Sequence, residues 1–133
     1  MKLSETIRLG SLMTYKINAT LFNKSKTGAC ALGAAALAIG IDCNYDDAYP
    51  LLRERWPILN LFVQCPICEC EEDVAHCIWH QNDTNLLLYP LTRNQIADWV
   101  ETKEKEIEEN GKISKENITN ELLNSNSCVG ATV

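Results

Sequence analysis

Residues 65–83 gather four cysteines and both histidines of the chain into nineteen positions: Cys65, Cys68, Cys70, His76, Cys77 and His80. A Cys-Pro-x-Cys turn followed by a His-x3-His pair offers soft and borderline donors at a spacing that one metal ion can use. On a helix, His76 and His80 share a face, as do Cys77 and His80. The segment therefore predicts a thiolate-bearing turn followed by a helix, with zinc as the expected ion. The expected ligands are Cys65, Cys68, His76 and His80, with Cys70 and Cys77 as alternates. Four such donors closed around zinc leave no open position, which makes a structural site rather than a catalytic one. Metal binding would then stabilise an acidic loop with few apolar residues of its own. The plain alternative is a set of reduced, partly buried cysteines with two surface histidines; thiol redox chemistry is a third reading.

Charge decides which kind of metal module this is. Residues 56–91 carry five acidic side chains and no Lys or Arg, within a chain of net charge -6. Nucleic-acid modules attract phosphate with Lys and Arg, so a DNA-binding finger and nucleic-acid partners generally are disfavoured. No apolar run approaches the roughly 20 residues of a membrane helix, so no membrane partner is expected. The N-terminal residues lack the charged-then-apolar layout of a secretory signal. A cytoplasmic location is the expectation, and there seven cysteines read as ligands, reactive thiols or small buried hydrophobes rather than disulfides.

The rest of the chain reads as helices. Ser4 is the expected N-cap of a helix over residues 4–14, buried through Ile7, Leu12 and Met13, with Gly10 weakening it. Residues 14–28 read as irregular. Ala29–Gly40, apolar all round, predicts a central buried helix. Asn44 suits the cap of a helix reaching Arg55, unless Pro50 begins it instead. Ile58–Gln64 reads as an extended segment or half of a small ribbon, with a hairpin closing on Cys65–Cys68 as its partner. The acidic run Glu71–Asp73 predicts the first turn of a helix over 71–83. Thr92-Arg-Asn-Gln95 matches a capping box for a further helix, with Ile96, Trp99, Val100, Lys103 and Ile107 along one face. Asn110-Gly111 predicts its stop. A last helix over 112–124 and a flexible tail over 125–133 complete the reading, leaving 1–111 as a helical domain with the metal knuckle at 65–80.

One other cysteine stands where chemistry could use it. Cys30 falls in the first turn of the apolar helix, where the helix dipole favours a thiolate. With His80 as base and Asp83 as orienter, a Cys-dependent hydrolase or transferase can be drawn. Against this, a cysteine among alanines is usually a packed small residue. Asn82 and Asp83 read as helix-ending residues that hydrogen-bond the following loop.

Taken in order, Lys2-Leu3-Ser4-Glu5 with Ile7-Arg8-Leu9-Gly10, Cys30-Ala-Leu-Gly33-Ala-Ala, Cys65-Pro-Ile-Cys68, His80-Gln-Asn82-Asp83 and Thr92-Arg93 with Ile96-Ala97-Asp98-Trp99-Val100-Glu101 resemble a group of small, functionally uncharacterised bacterial and bacteriophage proteins. The similarity covers roughly residues 1–105. The closing motif of that group has a second histidine where this chain has Asn85, and a tryptophan where it has Leu91. The resemblance implies an accessory or regulatory role and no particular activity.

The expectation is therefore a mainly α protein of about five helices with an inserted Cys-rich, zinc-knuckle-like loop. It would act by contact with a protein partner, with the C-terminal helix as a candidate surface for self-association. The Cys30, His80 and Asp83 enzyme is the alternative.

Overall fold

The computed structural model describes residues 1–41, 43–84 and 91–117, without the side chains at 45 and 111–117. Among them the chain is mainly α: α1 (Leu3–Met13), α2 (Ala31–Ala38), α3 (Tyr45–Arg55), α4 (Val74–Asp83) and α5 (Arg93–Asn117). Two short ribbons accompany the helices. β1 (Tyr15–Lys16) pairs in parallel with β2 (Gly28–Ala29), and β3 (Phe62–Gln64) pairs antiparallel with β4 (Glu71–Asp73). No described helix is long and apolar enough to cross a membrane.

α1, α2 and α5 build the centre, with α4 packed against α2 and α5. α1 buries Leu3, Ile7 and Gly10, one face at steps of four and three, while Leu12 and Met13 stay exposed, contrary to expectation. Its cap is Lys2, not Ser4: the Glu5 carboxylate accepts the Lys2 N–H at 2.7 Å. Ser4 lies inside the first turn, buried, with its hydroxyl donating to Glu104 of α5 at 2.5 Å. Gly10 is required by the crossing with α2, since a Cβ there would stand 1.9 Å from the Ala34 carbonyl oxygen.

α2 is the buried helix that its composition predicts, though it starts at Ala31 with Cys30 as its N-cap. Gly40, at φ 83°, follows its end in the left-handed region that glycine tolerates. Asn44 caps α3 through the Asp47 N–H at 3.0 Å, and Pro50 sits inside the helix rather than opening it. The 14–28 segment is less irregular than the sequence suggests. Its two ends meet in the β1–β2 pair, a parallel contact with no local sequence signal.

Two boundaries move. Glu71–Asp73 form β4 instead of a first helical turn, because they pair with Phe62–Gln64; α4 begins at Val74. α5 runs through Asn110–Gly111 to Asn117, where the sequence predicts a stop. A lone glycine costs a helix about 1 kcal/mol, less than flanking Glu, Lys and Ile residues can sustain. The capping box at its start is present: the Thr92 N–H donates to Gln95 Oε1 at 2.8 Å, and the Gln95 N–H to Thr92 Oγ1 at 3.1 Å. Ile96 and Val100 are buried, Trp99 half-buried and Ile107 exposed. The expected helix end at 124, the 125–133 tail and most of the loop before Leu91 lie outside the described residues.

Candidate metal centre

The hairpin is shaped by the turn between its strands. Beyond the Gln64–Glu71 pair, the Cys65 N–H donates to the Cys70 carbonyl and the Glu69 N–H to the Cys65 carbonyl, both at 2.9 Å. Glu69 takes φ 64°, so the chain turns back directly after the second cysteine of the Cys-Pro-x-Cys motif. That left-handed residue curls residues 65–68 into a loop. Cys65 is buried at its base and Cys68 exposed at its rim. The Cys70 N–H donates to the Cys68 sulfur and lowers that thiol's pKa. A backbone donor aimed at sulfur favours thiolate, the form a metal binds.

α4 supplies the other half. The Asp73 carboxylate caps the helix through the His76 N–H at 2.8 Å, and the Val74 N–H reaches the Leu61 carbonyl at 2.9 Å. These two bonds set the helix at a fixed angle to the hairpin. As a result His80 Nδ1 lies 3.7 Å from Cys65 Sγ. The ligand atoms of Cys65, Cys68 and His80 all fall within 4.8 Å of one another. Donors bound tetrahedrally to one zinc stand about 3.5–3.8 Å apart, given bonds of about 2.3 Å to sulfur and 2.0–2.1 Å to nitrogen. The trio is therefore a group that could hold a metal ion. His80 has a lowered pKa, chiefly because it is partly desolvated and then because His76 is beside it, which keeps the ring neutral and able to ligate.

Of the sequence-predicted ligands, Cys65, Cys68 and His80 come together. His76 lies beside them, outside the trio. Its ring centre is 4.1 Å from that of His80, its Nδ1 is 4.0 Å from Glu72, and its ring meets Trp79 edge-on at 5.4 Å. The alternates also stand outside the trio: Cys70 is exposed and interacts with Cys68, while Cys77 is buried and interacts with Cys65.

The residues of the catalytic alternative are distributed differently. Cys30 opens onto a cavity of about 440 Å³ between α2, α3 and α4, whose wall includes His76, Asn82, Arg53 and Trp79 but not His80. Burial pushes its thiol up to about 11, against the weaker pull of the Gly33 and Leu32 N–H groups. Asp83 accepts the Ala19 N–H at 3.2 Å, and no hydrogen bond among the described residues joins Cys30 to His80 or His80 to Asp83. Asn82, fully buried, bonds the Ala31 N–H at 3.0 Å and the Ile17 carbonyl at 3.0 Å. It ties α4 to α2 and to the 17–18 segment; the loop that the sequence suggests as its partner lies mostly outside the described residues.

Two residues that support the site carry weak sequence signals. Glu69 shows only as the position after the second cysteine, where a turn needs a left-handed residue. Arg53 bonds Asp73 at 3.1 Å and Asn60 at 2.6 Å, with its guanidinium over the Tyr49 ring at 4.9 Å, and so braces the cap of α4 from α3. Nothing local predicts that reach. No family model matches the chain, and no match is found among curated proteins or solved structures.

Proposed function

We propose that this chain is a zinc-binding protein in which the metal fastens the β3–β4 hairpin to α4, and that it works by protein–protein contact in a reducing compartment. The observation that carries the reading is the convergence of Cys65 and Cys68, from the hairpin, on His80, from the helix, with all three ligand atoms within 4.8 Å. Thiolate and imidazole donors suit zinc and not the hard cations that take oxygen ligands. Interaction rather than catalysis is supported by the surface of the same unit. Phe62 is 65% exposed on the hairpin and Trp79 48% exposed on the helix, in a segment without Lys or Arg to engage phosphate. The resemblance to small bacterial and bacteriophage proteins supports an accessory or regulatory role.

A Cys30-dependent hydrolase or transferase has less support, since a thiol held near 11 is protonated at neutral pH. Metal analysis of the purified chain tests the proposal, with about one zinc per chain expected. A partner captured by the wild type and lost in Phe62→Ser with Trp79→Ser, at unchanged zinc content, supports the interaction role. Equal capture by both proteins contradicts the assignment to this surface.

A further inference from the structure

Three donors leave a tetrahedral ion one ligand short, and Cys70, His76 and Cys77, all just outside the 4.8 Å group, compete for the place. We infer that Cys77 is the fourth ligand, so that the site is closed by three thiolates and one imidazole, Cys65, Cys68, Cys77 and His80. This rests on the proposed metal site and deepens it.

Position is the first argument. Cys77 and His80 are three apart on α4, so their side chains leave the same face, toward the hairpin. The Cys77 side chain is fully buried and near enough to Cys65, the buried member of the trio, to interact with its thiol, though its sulfur stands outside the 4.8 Å group. Its thiol otherwise has one weak acceptor, the Glu72 carbonyl at 3.9 Å. That bond is readily given up when the thiol is deprotonated by a metal. The hairpin then supplies two donors and the helix two, which places the ion between the elements it joins.

The competitors face elsewhere. Cys70 is exposed and touches Cys68 on the solvent side; using it would draw three donors from one turn and only one from α4. His76 lines the cavity, with its Nδ1 4.0 Å from Glu72 and its ring edge-on to Trp79, and stands outside the 4.8 Å group. A three-thiolate set is also softer than the two-Cys, two-His set that the sequence suggests, and favours zinc, cadmium and cuprous ions over harder divalent metals.

The test is X-ray absorption at the zinc edge of the wild-type protein, with Cys70→Ser and His76→Gln measured alongside. Three sulfurs at about 2.3 Å and one nitrogen at about 2.0–2.1 Å, unchanged in both variants, are expected. Two sulfurs and two nitrogens in the wild type, with a nitrogen lost in His76→Gln, would overturn the assignment in favour of His76. Three sulfurs falling to two in Cys70→Ser would overturn it in favour of Cys70. Wild-type protein that binds no zinc defeats the underlying metal site as well, and is distinguished by stoichiometry alone. None of these readings depends on a Cys77 variant folding.

Discussion

Cys65 Sγ and His80 Nδ1 stand 3.7 Å apart across fifteen residues of chain, joining the hairpin to the helix. The hairpin itself is slight. Its strands are three residues each, and its outward residues Phe62 and Gln64 are exposed. A two-stranded ribbon of that size is marginal alone, and a metal crosslink through the site would supply the stability it lacks. Cys65→Ser or His80→Gln is expected to abolish stoichiometric zinc binding and to raise amide exchange over 62–83. α1, α2 and the start of α5 should keep their protection. Exchange mapped by mass spectrometry reads both regions at once, and uniform loosening would mean that the site supports the whole core.

Gly10 gives a prediction with an inverted sign. Glycine inside a helix usually costs roughly 0.5–1 kcal/mol relative to alanine, so replacing it ordinarily stabilises. Here the added methyl would meet the backbone of α2 at Ala34, which cannot rotate away as a side chain could. Gly10→Ala should destabilise by about 1–3 kcal/mol or more. Chemical denaturation measures it, and a gain in stability would show that the α1–α2 crossing is looser than described.

Arg93 is buried where α1 ends, and its guanidinium donates to Thr14 Oγ1 at 2.7 Å, the Thr14 carbonyl at 2.6 Å, the Ala29 carbonyl at 3.0 Å and the Ser11 carbonyl at 3.2 Å. It satisfies the last turn of α1 and the end of β2 from the first turn of α5. Arg93→Lys should cost about 2–3 kcal/mol despite keeping the charge, because one ammonium cannot reach acceptors spread along a planar fork. An Arg93→Lys protein as stable as the wild type, by denaturant midpoint, would count against this bracing role.

Cys30 predicts a pH dependence. Its thiol is raised from an ordinary value of 9.0 to about 11 by burial. The folded state therefore favours the protonated form. That stability is fully present below pH 9 and is lost as pH rises through 11, approaching about 3 kcal/mol beyond it. Cys30→Ala should flatten this part of the stability profile. In the folded wild type, iodoacetamide should modify Cys30 slowly at neutral pH; rapid labelling there would restore the case for a reactive thiol.

Legibility in the sequence followed the range of the interactions. The capping box at Thr92, the Asn44 cap and the apolar α2 are local patterns, and each appears as read. The Cys-Pro-x-Cys turn and a hairpin closing on it are equally local. The β1–β2 pair, the reason for Gly10, the burial of Ser4 against Glu104 and the four bonds of Arg93 depend on residues far apart in the chain, and no window of sequence contains them. At the site, the spacing of His76 and His80 is as good a helical pair as that of Cys77 and His80. Only the angle set by Asp73 and Leu61 turns His80 toward Cys65 and leaves His76 facing Glu72 and Trp79.

Zinc held by the Cys65, Cys68 and His80 group, and supporting the fold from there, is what we propose. Elemental analysis of the purified wild-type chain, followed by thermal unfolding with and without a chelator, tests it most directly. About one zinc per chain, with a melting temperature that falls on chelation and recovers when zinc is restored, is the predicted result. A metal-free protein whose melting temperature is indifferent to both chelator and added zinc would contradict it.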